Sequence, residues 1–370
     1  MTAVILAARR TAIVPRNGAF AALSLEDMGV PVVQALLTDA GIAADQVDEL
    51  ILSNALGGGG NPARRLALAA GLAQRVPGLT VDRQCAGGLD AILLARALVQ
   101  SGAAEVVIAG GVESYSRRPL RLRTDPFGGA PLAYDQAPFT PWPERDPNMA
   151  AAAADLAFSL GISRQDQDKW AVESHAKAKV LQAELVQIAG QTSDAFTRKL
   201  SMAAAARAQG ICGTITAANA AVAADGAALV LVVSAQIAAG RGLRIRAGAT
   251  VGGDPEQPGL APIAAIRAAL AQAGLAPGDL AMSEIMEAFA VQAMACVQGA
   301  GLDPARVNMA GGALARGHPI GASGAVLAVR LFHMLQNGVG LAAIASAGGI
   351  GTALLLEQQS RAPIGTVSSA

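Results

Sequence analysis

Two residues far apart in the chain carry the chemistry that is easiest to read. Cys85 follows a short strand-like run, Leu79-Thr80-Val81-Asp82, and precedes a small-residue turn, Ala86-Gly87-Gly88, that opens an apolar helix over 89–100. A thiol placed there faces free helix N–H groups, whose partial positive charge favours thiolate and is expected to lower the cysteine pKa. Far downstream, Gly317-His318-Pro319-Ile320-Gly321-Ala322-Ser323-Gly324 offers the imidazole that such a nucleophile needs. A structural cysteine would leave the glycine turn unexplained, and a His between Gly and Pro at a helix entry is a poor core residue. Cys85 and His318 are therefore the expected catalytic pair. His333, inside the next helix, reads as structural, and His175, among Glu173, Lys177 and Lys179, as part of a solvated face. Cys212 and Cys296 read as loop and helix-core residues.

The elements that must position this pair occur twice. In the front segment 4–8 reads as a strand. Ser24 with Asp27 caps a helix running to 39, 50–53 is the next strand, and a helix follows Asn61-Pro62 with Pro in its first turn. Then come the strand before Cys85, its helix, and a buried strand over 105–109 that ends in Gly110-Gly111. The tail segment repeats this order: a helix over 263–273, a short strand ending at 284–286, a strand over 307–310, the His318 turn, a helix over 321–336, and a strand over 341–345 before Gly348-Gly349. Strands alternating with helices indicate sheets covered on both faces. A duplicated fold whose halves pack back to back would bring the two turns, and hence Cys85 and His318, into one place.

Between the halves the character changes. Pro and Gly cluster from 117 to 147, an Ala-rich helix is expected over 148–160, and Ser163 with Asp166 forms a capping-box signature for a helix over 165–185. The expected division is an N-terminal half, 1–113, an inserted binding domain, 114–240, a C-terminal half, 241–357, and a fraying tail, 358–370.

Composition excludes several functions. The chain has 370 residues, with 28 basic and 28 acidic side chains, so no net charge recommends nucleic acid as a partner. The one basic run, Arg117-Arg118-Pro119-Leu120-Arg121-Leu122-Arg123, reads first as a solvated loop, with a phosphate site as the sharper alternative. No apolar run approaches the ~20 residues of a membrane span. The N-terminal run from Met1 to Leu6 reads as a strand and not a signal peptide, and three cysteines fit a reducing cytoplasm better than a disulfide framework.

Further motifs give these features a family. Asn61-Pro62-Ala63-Arg64, Val81-Asp82-Arg83-Gln84-Cys85-Ala86-Gly87-Gly88-Leu89, Ala109-Gly110-Gly111-Val112-Glu113-Ser114, Glu287-Ala288-Phe289-Ala290 and Asn308-Met309-Ala310-Gly311-Gly312-Ala313 occur in order before the Gly-His-Pro segment. The chain resembles the thiolases, in their acetyl-CoA acetyltransferase branch, from Ala3 to about Leu356. The resemblance implies a five-layered αβαβα fold, an inserted CoA-binding loop domain and a homodimer or homotetramer. It also implies a CoA thioester as substrate with no permanently bound cofactor, and an acyl group carried on Cys85. Oxyanion donors would be the backbone N–H groups of Cys85 and Ala347.

The sequence departs from the family pattern at chemically telling places. A thiolase has a second Cys before its final glycine run and an Asn or His before Glu-Ala-Phe; here those positions hold Ala345 and Met286. Neither can move a proton or hold a polar water. Ser346, one residue on, is expected to face the other side of the strand. In the loop domain Asn148 replaces a His before Met149, and Ala221 replaces a Ser that contacts the pantetheine arm. Met149, Ala221, Met286 and Phe289, with Asn148, are the expected substrate contacts. The expectation is an acyltransferase that keeps acyl transfer to Cys85, from CoA or a carrier-bound donor, and lacks the usual machinery of carbon–carbon bond formation. The alternatives are a conventional thiolase with substituted groups and a degenerate acyl-thioester-binding protein.

Overall fold

The computed structural model describes residues 1–359, so the expected tail lies outside the described residues except for its first two positions. Nine strands form the frame: β1 (Ala3–Thr11), β2 (Glu49–Ser53), β3 (Leu79–Val81), β4 (Val106–Glu113), β5 (Ala224–Ser234), β6 (Leu243–Gly252), β7 (Leu280–Ile285), β8 (Val339–Ser346) and β9 (Ile350–Gln358). Their order is β7-β8-β9-β6-β1-β5-β4-β2-β3. Each half contributes one side of this path, and the halves join where β1 and β6 pair through Val4 with Arg244 and Ile5 with Leu243. β5 pairs with both β1 and β4, so the end of the span 114–240 belongs to the N-terminal sheet.

Helices cover both faces. α1 (Leu25–Ala40) and α2 (Pro62–Ala69) lie outside the N-terminal half, and α3 (Gly87–Ser101) lies inside it; the insertion carries α4 (Met149–Ser159) and α5 (Arg164–Lys177). α6 (Ala261–Ala273) and α7 (Ala290–Ala300) lie outside the C-terminal half, and α8 (Ser323–Met334) lies inside it beside α3. Strand alternation builds the layers. Val230 and Val232 of β5 enter the central core with Leu89, Ile92 and Leu327, while Leu229, Leu231 and Val233 meet Val32 and Leu36 of α1. On the other half Leu354 and Leu356 of β9 face the centre and Leu355 meets Ile266 and Leu270 of α6. The result is the five-layered αβαβα arrangement.

Local chemistry explains most boundaries. Ser24 accepts from the Asp27 N–H and Asp27 accepts from the Ser24 N–H, a capping box that starts α1. Two sequence readings need correction. The stretch 307–310 is not a strand: Val307 makes a single bridge to Ser283, and Asn308, at φ 45°, bends the chain away. The helix expected over 165–185 stops at Lys177, and a short turn at Gln182–Glu184 follows. Glu184 is drawn into a buried ion network and no longer lies on a helix face. It accepts from Arg10 at 2.8 Å and from Arg330 at 3.1 Å.

The central layer is held at backbone distance by glycines. A Cβ on Gly88 would stand 2.6 Å from the Ala325 nitrogen, and one on Gly324 would stand 2.6 Å from the Leu89 nitrogen. The starts of α3 and α8 thus touch main chain to main chain. Gly88→Ala should destabilise the protein by ~1–3 kcal/mol, because overpacking forces the backbones apart. Gly252→Ala, where the added methyl would meet nothing within 4 Å, should be near neutral. Denaturant titration of the two variants checks this; equal stabilities would refute the close approach.

Candidate active site

Cys85 occupies a 3₁₀ turn, Gln84–Ala86, wedged between β3 and α3. Gln84 holds φ 48°, an uncommon conformation for a residue with a side chain. Asp82 stabilises it by accepting from the Gln84 N–H and from its side-chain amide, both at 2.9 Å. The nucleophile therefore sits on a strained, externally braced turn.

His318 is placed by the other half. Its N–H donates to Val222 O at 2.8 Å, and Gly317, at φ 109°, passes close to Ala224. The two residues meet: His318 Nε2 lies 3.2 Å from Cys85 Sγ. The Ser323 hydroxyl donates to Pro319 O at 3.0 Å and so accepts at 2.6 Å from His318 Nδ1–H. That assignment leaves Nε2 without a proton, free to accept from the thiol.

Electrostatics overturn the expected resting thiolate. Burial pushes the Cys85 thiol up to about 12. Its own backbone N–H works the other way, the Glu113 and Asp82 carboxylates add to the rise, and the Ser346 hydroxyl opposes it. Desolvation outweighs the helix-start field here. Burial also takes His318 down to about 4, so the pair rests as neutral thiol and neutral imidazole. Glu113 is pushed up to about 7 by burial, against donors that include the Ala55 and Gly321 N–H groups at 2.9 and 3.1 Å. Its carboxyl thereby ties the turn after β2 to the turn that carries His318.

The pair opens on a cavity of about 290 Å³ at the boundary of both halves and the insertion. Met149, Ala221, Phe289, Ala345 and Ala347 line it, as does Ser346. The reading that Ser346 faces away is corrected. It is the last residue of β8, where the chain turns into Gly348 and Gly349 at φ 77° and 76°, and alternation ends there. Its hydroxyl donates to Arg83 O at 3.0 Å, bracing the cysteine turn. Met286 packs in the core cluster against which Cys85 lies, 1% exposed, and is not part of the wall. Asn148 is an exposed cap of α4, accepting from Ala150 N–H at 2.9 Å, and also lies off the wall.

Sequence reasoning missed Tyr115, Phe139, Leu156 and Gln292 on the cavity wall. Tyr115 directly follows a quoted motif and is one of two tyrosines, so its rarity was a usable signal; Phe139 lies in the irregular Pro/Gly stretch, which offers none. Other readings also change. His175 is buried, not solvated, packed against Phe196 at 5.8 Å between ring centroids. The basic run is engaged locally: Arg117 donates to Ala22 O, Arg118 pairs with Asp135, and Arg121 donates to Ala55 O. His333 does anchor structure, 2.8 Å from Ala8 O. Among the described residues no group of three or more His, Cys, Asp or Glu could hold a metal, and no helix is long and apolar enough to cross a membrane.

Residues 3–236 match the family model for the thiolase N-terminal domain, and residues 241–358 match the model for the thiolase C-terminal domain. An acetyl-CoA acetyltransferase of Cupriavidus necator is 38% identical over 389 residues, covering 96% of this chain and 99% of that one. The crystal structure of the Bacillus anthracis acetyl-CoA acetyltransferase superposes with a TM-score of 0.88 at 32% identity, covering 96% and 98% of the two chains. Human mitochondrial 3-ketoacyl-CoA thiolase in complex with CoA superposes with a TM-score of 0.90 at 28% identity, covering 97% and 98%.

The neutral resting pair has a measurable consequence. Because the thiolate is the nucleophile and the thiol titrates high, alkylation of Cys85 by iodoacetamide should accelerate about tenfold per pH unit from about pH 7 to 10. Peptide mapping separates it from Cys212 and Cys296. A plateau near pH 8 would show a preformed thiolate.

Proposed function

The chain belongs to the thiolase family, and from that premise we propose that it takes an acyl group from an acyl-CoA or carrier-bound thioester onto Cys85 and passes it to a second substrate. The observation that carries this reading is the 3.2 Å contact between His318 Nε2 and Cys85 Sγ, opening on an apolar cavity. In the first half-reaction His318 accepts the thiol proton as the sulfur attacks the thioester carbon. A new carbon–sulfur bond forms to Cys85, the bond to the donor sulfur breaks, and His318 returns the proton to the departing thiol. The Cys85 and Ala347 N–H groups are the proposed oxyanion donors, and Met149, Ala221 and Phe289 the walls along the pantetheine arm. The CoA-bound relative supports a CoA thioester as donor. A homodimer or homotetramer belongs to the same reading, supported by exposed Leu120, Phe127 and Leu132 around the hairpin of the insertion.

The second half-reaction differs from the family's. A general acid or base contributes about 10²–10⁴ in rate and an oxyanion donor about 10²–10³, and these effects need not add. The reading takes Ala345, on the wall, and Met286, in the core, to stand where the family has the groups that handle the attacking carbon. Acyl transfer to Cys85 uses none of them. The reading therefore favours an acceptor that needs no proton taken from carbon: an amine, an alcohol, a thiol or an already acidic carbon.

Two experiments bear on this. Incubation with acetyl-CoA and carrier-bound acyl thioesters should give a one-acyl mass gain on intact protein, absent in Cys85→Ala; folded protein that no donor labels would favour a binding role instead. Ala345→Cys, alone and with Met286→Asn, should raise acetoacetyl-CoA formation at least about tenfold. No gain in either variant would count against the assignment of the replaced groups.

A further inference from the structure

Besides the side-chain amides of Gln84, Gln136 and Gln292, few exchangeable protons stand on the cavity wall, to which Ala345 contributes only a methyl. Those of the thiol and His318 are used in acyl transfer, and the Ser346 hydroxyl already donates to Arg83 O. Tyr115 is left. It lies two residues beyond the end of β4, and the residues on both sides of it are pinned to one carboxylate. Asp225 accepts from the Ser114 hydroxyl at 3.3 Å, from the Ser116 N–H at 3.0 Å and from the Ser116 hydroxyl at 2.5 Å. The Asn17 N–H donates to the same Ser116 hydroxyl at 2.8 Å, and the Arg117 N–H donates to the Ser114 hydroxyl at 3.1 Å. The chain is thus clamped before and after Tyr115, and its side chain lines the cavity that Cys85 and His318 line. The phenol itself has no hydrogen-bond partner among the described residues.

We propose that Tyr115 is a further catalytic residue, whose phenol O–H donates a hydrogen bond to the Cys85 sulfur whenever that sulfur carries negative charge. Burial raises the phenol pKa, the Cys85 and Glu113 charges raise it further, and Arg118 and Arg16 oppose them, so the group stays a donor. The charged and titratable groups around the sulfur are Glu113 and Asp82, which disfavour the thiolate, with the backbone N–H of Cys85 in its favour and His318 as proton acceptor. Tyr115 keeps its own proton throughout. As an acceptor discharges the thioester, its bond to the acyl carbon forms, the carbon–sulfur bond to Cys85 breaks, and the acceptor's proton reaches the sulfur through His318. The hydrogen bond stabilises the sulfur as it leaves, and earlier as it attacks. This role deepens the acyl-transfer reading, but thiolate stabilisation can be measured without any acyl donor.

The test is therefore alkylation of Cys85 by iodoacetamide across pH, in wild type, Tyr115→Phe and a protein with 3-fluorotyrosine at 115. A hydrogen bond to a charged acceptor implies that Tyr115→Phe slows alkylation about tenfold at a given pH and moves the profile about one unit upward. The fluorinated phenol, a stronger donor, should restore wild-type rates or exceed them. With a labelling acyl thioester, Tyr115→Phe should lower kcat and leave KM within about twofold. An unchanged alkylation profile in Tyr115→Phe overturns the proposal, and so does a fluorotyrosine protein that behaves like the Phe variant. If no donor labels Cys85 while the alkylation profiles shift as expected, the acyl-transfer reading fails and the thiolate contact stands.

Discussion

Main-chain contact between the two central helices is the constraint on which the site depends. Cys85 precedes α3 and His318 precedes α8, so their separation is set by how closely the two helix starts approach. Gly88 against Ala325 and Gly324 against Leu89 remove the side chains that would hold those starts apart. The same crowding continues at the sheet, where a Cβ on Gly111 would fall 2.1 Å from Gly321 O. Glu113 fills the remaining gap with a carboxyl that accepts from both halves. A thiol–imidazole contact of 3.2 Å between residues 233 positions apart is thus a packing result before it is a chemical one.

The insertion must be fixed to the same frame, because it supplies part of the cavity wall. It is fixed by charge. Arg10 of β1 reaches Glu184 and Asp194 of the insertion, while Arg330 of α8 bridges Glu184 to Glu284 of β7. All of these side chains are buried. Such a network contributes little net stability against an apolar alternative, but removing one partner leaves an uncompensated charge and is expensive, at about 3–5 kcal/mol. It therefore selects one docking of the insertion. Backbone contacts complete that docking: Ala221 N–H donates to Ala288 O and His318 N–H to Val222 O, lacing the chain between the Phe289 and His318 segments. Thiol, imidazole and cavity wall are aligned by separate devices that act on one short stretch of chain.

What the sequence made legible follows from the range of the interactions involved. The Ser24 cap, the Pro at the start of α2 and the glycine turn beside Cys85 are local, and each appears where the residues imply it. The meeting of Cys85 with His318 is not local, but the repeated order of elements encodes it. The misread features depend on distant partners. The helix expected to run to 185 ends early while Glu184 answers to Arg10 and Arg330, and His175 is buried by the Phe196 segment, which no helical periodicity reports. Ser346 escaped strand alternation because it is the last paired residue of β8, at the edge of the glycine turn. The inverted reading of the Cys85 thiol has the same origin: helix-start geometry is visible in sequence, whereas the depth of the cavity and the neighbouring carboxylates are not.

That inversion bears on how the chemistry is gated. A thiolate waiting at rest would be open to oxidation and alkylation in proportion to its population. Here burial favours the neutral thiol, and the low pKa of His318 means that the imidazole gives up quickly any proton it takes. Charge then exists mainly while an acyl carbon is in reach to receive it. The cost of forming the thiolate is offset by its own backbone N–H and, on the proposal above, by the phenol of Tyr115. Ala345 on the wall fits this arrangement, since an ionisable sulfur in its place would disfavour the Cys85 thiolate by like-charge repulsion. On the proposed reading the wall serves control of a single sulfur, and the acceptors that suit it are those needing no proton taken from carbon.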